Sequence, residues 1–583
     1  MKKVIALVLV ILMSLSIFAG CQRDENDKGP IIKMYLGAYP TSLDPSIMQT
    51  DSDITKFLGL IFEPLTTIDE KGNVKPALAK SWYGQVDRID GQYKMIFELN
   101  ETKWSDGISV SADDIVYAWK RILQPETESP YASLLYPIKN AKNVKSGVMT
   151  SDDLGLVALG DLELEVTFET EYDINLFAET VACIGLVPLR EVIVLKDESN
   201  WTSKSTSIVT NGPFKVQTLD YNSKIVLERS AYYRIGKDDA FNKYVTPYKI
   251  IIEYKTNSGN GAAYQESQYD EGNLYYLGDF SKEGYEKYKS NLEIQNMLSS
   301  YTYFFNTTNE LLSDAKVRQA LSIALDRTEI ANIVGRGVVP ATGYVPHGVF
   351  DTNNKTEFRT VGGNLISTTA NLEQAKTLLK EAGVNSGSFS ITYKKSNFDS
   401  IEQTVAEYAK SVWEELGFTV TLNEQSGINY TNALSLREFD VIALDIMGNT
   451  TDAFGFLAPF AKFYSGCKVS IDIEADAFTP HYSGLQDNDY DALIDSVVYV
   501  SDRTQRAQVL HDAEKMLIEL MPATALYFNV ESYVKSSDLS NIKSSYFGYR
   551  ILNKTTLKDY MTINSIIEAE NNAVTESEVT SEQ

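Results

Sequence analysis

VIALDIMGNTTDAFGFL, residues 441–457, opens with an apolar run, Val441 to Leu444, that reads as a buried strand. It then turns neutral and rich in hydrogen-bonding groups at Gly448-Asn449-Thr450-Thr451, with one carboxylate, Asp452, just beyond. Two readings of that loop are compatible. It contacts a ligand at the strand's end, or Asn449 caps a turn, a role its side chain performs well.

On both sides of this stretch, strand-like and helix-like patterns alternate. Ser111 followed by Asp114 is a capping signature, and Ile115, Trp119 and Ile122 recur behind it at helical spacing. Asp314 precedes Val317, Ala320, Leu321 and Ala324 in the same way, which predicts a helix stopping at Gly335. A third predicted helix begins near Asn371, carries Ala375, Leu378, Leu379 and Ala382 on one face and ends at Gly383. Residues 162–168 and 224–229 read as strands. With 583 residues and 43% hydrophobic composition, this alternation implies an α/β protein of more than one lobe.

The N-terminus has a basic start, Lys2-Lys3, then a short apolar run from Val4 to Ala19 and an abrupt change to charged residues after Gly20-Cys21. That pattern describes a secretory signal over 1–20 and a polar tether over 21–29. Phe18-Ala19-Gly20-Cys21 resembles a bacterial lipobox, which implies cleavage before Cys21, lipid on that cysteine and a tether to the membrane face. Loss of Lys2 and Lys3 takes the net charge from -26 to about -28, so no nucleic acid is expected as a partner. Only Cys183 and Cys467 then remain, too few for a disulfide framework, and whether they are bridged stays open. The residues from 567 to 583 are polar and acidic and read as a disordered tail.

A search for catalytic machinery finds little. His347, His481 and His511 stand in no metal-ligand spacing. His511 reads as lying on the solvated face of a helix, beside a buried row of Leu510, Ala513 and Leu517. No G-x-S-x-G elbow and no Walker phosphate loop occur. Neither cofactor nor metal is expected, and binding is favoured over catalysis.

Several segments together resemble the extracellular solute-binding proteins of peptide ABC importers, the oligopeptide- and dipeptide-binding family. They include Pro40-Thr41-Ser42-Leu43-Asp44-Pro45, Ile61-Phe62-Glu63-Pro64-Leu65 and Lys75-Pro76-Ala77-Leu78-Ala79-Lys80-Ser81-Trp82. Further on come Lys103-Trp104-Ser105-Asp106-Gly107, Thr210-Asn211-Gly212-Pro213-Phe214, Asp314 to Leu321 with Leu325-Asp326-Arg327, Tyr490 to Ile494 and Met521-Pro522. Asp106-Gly107 and Asn211-Gly212-Pro213 are turn signals in their own right, so these motifs read as scaffolding.

The resemblance implies an α/β, two-lobed hinged periplasmic-binding-protein-like fold with an extra inserted lobe. The first lobe would comprise 30–55, 201–305 and 528–566, the extra lobe 56–200 and the opposing lobe 306–527, with two chain crossings between the main lobes. A peptide would lie extended between them, paired through its backbone to short strands. By alignment those strands are Thr41-Ser42-Leu43 and Asp445-Ile446-Met447-Gly448. Asn449 falls where relatives that bind free peptides usually carry an aspartate for the ligand ammonium. Three explanations remain open: Asp452 or Asp445 substitutes for it, the ligand is held by its middle, or the ligand has no free amine there. Tyr39, at an often acidic position, would stack on a ligand side chain or simply pack.

The implied protein is a monomeric, lipid-anchored extracytoplasmic receptor, not an enzyme, that delivers oligopeptides to a membrane ABC permease with its ATPase subunits. The alternatives are the same fold with an oligosaccharide, a nickel chelate or a signalling peptide as cargo, and, from another class, a cell-surface hydrolase.

Overall fold

A computed structural model describes residues 27–40, 42–47, 52–89, 91–221, 223–235, 243–254, 261–395, 401–466 and 482–569. The expected signal segment, the lipidation site Cys21, Thr41, Cys467, His481 and the tail beyond 569 lie outside the described residues.

A mixed sheet forms the spine of the molecule. Its strand order is Phe418–Gln425, Gly387–Lys394, Val441–Met447, Glu293–Phe305, Ala523–Lys535, Tyr276–Leu277, Ile31–Tyr35, Lys249–Glu253, Lys224–Arg229 and Phe214–Asp220, with Val339–Pro340 pairing off Ala523–Lys535. The two central strands, each of 13 residues, run through both halves of the sheet. Glu293 to Asn296 pair with Val530 to Tyr533, whereas Ser300 to Phe304 pair with Ala523 to Phe528, and the register shifts between Asn296 and Ser300. An irregularity there bends the paired strands and separates one half-sheet from the other.

The region from 79 to 167 builds its own antiparallel sheet, ordered Ala79–Val86, Tyr93–Leu99, Glu163–Thr167, Leu156–Gly160. The helix Ala112–Ile122 forms as its cap predicts, with the Asp114 carboxylate accepting from Ser111 N at 2.8 Å. It buries Ile115, Trp119 and Ile122 beside Phe177, whose ring stands edge-on to Trp119 at 6.1 Å. One apolar cluster runs from these residues to Phe456, Tyr490 and Leu510. A second surrounds Trp413 with Tyr303, Ile391 and Val441.

Several sequence expectations are met closely. The strand at Lys224–Arg229 has the expected bounds, and the helix Leu372–Glu381 is N-capped by Asn371 and followed by Gly383 at φ +71°. Asn211 is fully buried, accepting from Glu63 N at 3.0 Å and donating to Glu63 O at 2.8 Å. A Cβ on neighbouring Gly212 would stand 2.5 Å from the Ile61 carbonyl. Two separate motifs are thus interlocked as scaffolding.

Three expectations are corrected. The helix predicted from Asp314 to Gly335 is two helices, Ala315–Ile323 and Arg327–Val334, because Asp326 N-caps the second by accepting from Glu329 N. His511 does not face solvent: it is 7% exposed, lies 3.9 Å from the Phe358 ring in a stack and meets Asp351 Oδ1 at 2.7 Å through Nε2. Its helix buries Ala507, His511 and Glu514 alongside Leu510 and Leu517, an arc wider than the sequence row suggests. The acidic tail does not begin at 567, since helix continues to 569 and Ile567 packs with Ile31 and Ile251. At the end of the tether, Asp27 accepts from the Tyr560 hydroxyl and Lys28 O accepts from Arg229. Cys183 is a buried free thiol, pushed up to about 12 by burial.

Candidate functional site

The strand Val441–Met447 pairs antiparallel with Ser299 to Phe305, and Gly448 N extends that ladder to Leu298 O at 2.7 Å. On its other edge the ladder with Gly387–Lys394 ends at Ile442 among the described residues. The tip from Ile446 to Gly448 is therefore laddered along one edge, the geometry that an added extended chain extends. Gly448 itself is required sterically, because a Cβ there would stand 2.3 Å from the Phe456 ring. Asp445 at the strand's outer face accepts from Asn529 Nδ2 at 2.7 Å.

Beyond the tip, the loop is closely tied. Thr450 Oγ1 accepts from Gly455 N at 2.8 Å and donates to Asp452 O at 2.9 Å. Asp452 is 7% exposed and fully committed: Oδ2 accepts from Arg506 Nε at 2.5 Å and Oδ1 from Phe454 N at 3.1 Å. In this arrangement the Asp452 carboxylate is engaged by Arg506 and by the loop's own backbone. Asn449 differs. Its Oδ1 is buried with no hydrogen-bond partner among the described residues. An unsatisfied buried acceptor costs about 1–3 kcal/mol, and a Cβ on Gly455 would stand 2.6 Å from this oxygen.

The first ligand segment is anchored elsewhere. Leu43 is 4% exposed, Ser42 Oγ accepts from Asp44 N, and Asp44 is gripped by Arg121 and Trp201. Tyr39 stands among Tyr221 and Tyr254, edge-on at 5.3 and 5.0 Å. Its aromatic face is thus already packed, and burial together with Asp220 pushes its hydroxyl upward.

Met447 lines a small cleft with Leu298, Thr55, Lys56, Glu531 and Tyr546. The cleft lies against the register shift at Asn296 to Ser300, where the two half-sheets meet. Glu531 faces Arg550 through paired contacts, one of them 3.1 Å, and Lys56 at 3.6 Å. Desolvation works upward on its carboxyl, but Arg550 and Lys56 outweigh it and hold the group below the usual range. Thr55 Oγ1 is buried there without a partner among the described residues. Apart from Met447, none of these residues was singled out by the sequence. Arg506 carried the clearest missed signal, standing in helical register with Leu510, Ala513 and Leu517 on a buried face, where a charge demands a carboxylate.

Residues 73–465 match the model of the bacterial extracellular solute-binding proteins, family 5 Middle. The chain belongs to this family. Among similar family relatives, the oligopeptide-binding protein OppA of Bacillus subtilis is 26% identical over 562 residues, covering 93% of this chain and 97% of that one. The Haemophilus influenzae OppA complex with RPPGFSPFR superposes with a TM-score of 0.76 at 23% identity, over 92% of this chain and 100% of that one. The murein tripeptide-binding protein MppA in its unliganded open form reaches only 0.57 at 24% identity, over 91% and 97%. The family fold has several lobes. Among the described residues no helix is long and apolar enough to cross a membrane.

Proposed function

We propose that this protein captures oligopeptides outside the cell and hands them to a membrane ABC permease with its ATPase subunits. The observation that carries the reading is the end-to-end match to an oligopeptide-binding protein, 93% of one chain against 97% of the other. Local geometry supports it. A half-laddered strand tip at Ile446 to Gly448 is suited to main-chain pairing.

In this reading the lobes are 30–55 with 201–305 and 528–566, then 56–200, then 306–527. The paired strands at Asn296 to Ser300 and Phe528 to Val530 form the hinge. A ligand bridging the main lobes favours the shut form through contacts made only there. No bond in the cargo is made or broken. Asn449 offers a neutral bond worth ~1 kcal/mol, against ~1.5–3 for a charged one, so recognition leans on backbone pairing more than on a terminal amine. The protein is a monomer, held at the membrane by lipid on Cys21.

Native mass spectrometry of the purified protein tests the reading. Unaltered peptides should be found bound, and a peptide pool at a hundred times its dissociation constant should stabilise the fold by ~2.7 kcal/mol. Cleaved peptides, or stabilisation by a sugar or nickel panel alone, would defeat it.

A further inference from the structure

The contacts that hold residues 448–452 do not all come from one part of the chain. Thr450 is tied locally and Asp452 to Arg506, both within residues 306–527, but Thr451 is tied outward. Its carbonyl accepts from Phe350 N at 2.7 Å and from the Tyr546 hydroxyl at 3.3 Å. Its own hydroxyl donates to Glu179 Oε2 at 2.5 Å, across 272 residues of sequence. Glu179 lies in the last turn of the helix Ile174–Thr180. Arg503 takes both of its oxygens, Nη2 to Oε1 at 2.9 Å and Nη1 to Oε2 at 3.2 Å. Arg503 Nε also donates to Asp173 Oδ2 at 2.8 Å, while Asp173 Oδ1 caps that same helix on Asn175 N.

Both charges stand at the unfavourable ends of their own helices. Arg503 opens the helix Arg503–Leu520, where the backbone dipoles are positive, and Glu179 sits at a helix C-terminus, where they are negative. Neither helix gains from the charge it carries. Burial adds to the cost, since Glu179 is 8% exposed and desolvation pushes its carboxyl upward against the pull of Arg503 and Thr451. Each charge is compensated by the other, across the seam between residues 56–200 and residues 306–527. The same seam is crossed by Tyr136 donating to Phe463 O at 2.8 Å and by Asn354 donating to Lys71 O at 3.2 Å.

We propose that Asp173 and Glu179 on one side, and Arg503 and Thr451 on the other, form a latch through which the 56–200 region holds the ligand loop in place. Glu179 is then a positioning residue for cargo. The meaning of that loop for cargo rests on the peptide-binding reading, whereas the latch itself does not. Closure brings Glu179 onto Arg503 and Thr451 together, so a shut seam and an ordered loop are one event, and the 56–200 region slows cargo release.

The test compares the ligand-free protein with Glu179→Ala and Glu179→Gln by amide hydrogen exchange. Exchange at 448–453 should rise at least roughly tenfold in Glu179→Ala, because truncating one partner of a buried charge pair is costly. It should rise less in Glu179→Gln, which still accepts from Thr451, while protection within 441–445 stays unchanged. Dissociation of RPPGFSPFR should quicken in the same order, with association little altered. Unchanged exchange at the loop, or a uniform rise over the whole chain, overturns the latch. If Glu179→Ala does not fold, Arg503→Lys, which keeps the charge but loses the fork, must loosen the loop in the same assay. If wild type ignores RPPGFSPFR and every other peptide while the exchange pattern holds, the latch stands and the peptide reading falls.

Discussion

Among the arginine–carboxylate joints that fasten the 56–200 region to its neighbours, two differ sharply in how much water reaches them. At the first, Arg121 donates to both oxygens of Asp44 at 3.1 and 2.9 Å, and Trp201 Nε1 adds a third bond at 2.9 Å. Arg121 and Asp44 side chains are 7% and 5% exposed. At the second, Arg503 grips Glu179 with similar geometry, but the side chains are 26% and 11% exposed. Identical chemistry gives a sealed joint in one place and a wetter one in the other. Separating a sealed pair strands charges without water, whereas a pair already touched by water parts at lower cost. In the latch proposed above, the second joint is the one that parts.

Stability measurements put that contrast at risk most directly. Arg121→Ala should cost about 3–5 kcal/mol, because it leaves the buried Asp44 carboxylate with only the neutral donors Trp201 Nε1 and Ser46 N. Arg503→Ala should cost no more than about 1–2 kcal/mol, since water can enter to replace it. Urea unfolding reads both, and equal losses would erase the distinction between the two joints. A neutral clamp offers a smaller, independent check: Asn211→Ala removes both bonds to the Glu63 backbone and should cost about 1–3 kcal/mol.

Binding sharpens the comparison from the other side. Asn449→Asp places a charge where an acceptor now lacks a donor, and should tighten RPPGFSPFR by about tenfold in calorimetry while leaving the joints untouched. Weaker binding would mean that the position requires a neutral group. The smallest effect concerns pH. Burial raises the Glu179 carboxyl above its ordinary 4.5 in the folded protein, against Arg503 and Thr451. The folded form therefore keeps that proton to a higher pH than the unfolded chain. Glu179's contribution to stability is greatest below 4.5 and declines as pH rises through the shifted value. Wild type should lose stability relative to Glu179→Gln by less than about 1 kcal/mol over that window, as urea midpoints at successive pH values would show. A difference of opposite sign would mean that Arg503 dominates burial.

How much of this was legible depended on the range of the physics involved. Asn371 and Gly383 mark a helix because capping acts over one turn, and Lys224–Arg229 reads as a strand because alternation is local. Where a local signal was misread, as in running one helix through Asp326, the competing cue was also local and a second N-cap prevailed. The turn at Asn211-Gly212 was readable, yet its lock on Ile61 and Glu63 was not.

Charge pairing was harder to see. Asp452 stood out as a lone carboxylate after a strand, but its partner Arg506 is 54 residues on and nothing in either neighbourhood names the other. His511 was misplaced for a related reason: the width of a buried helical face is set by what packs on it, here Phe358 and Asp351.

The chain's own residue order determined the α/β alternation, the turn and cap positions and the family to which it belongs, because those depend on spacing along a backbone of fixed geometry. Which carboxylate meets which arginine, which acceptor is left without a donor at Asn449, and which joint stays wet were decided only when distant segments met. Desolvation and ion pairing act through space, and their strength depends on how much water the assembled neighbours exclude.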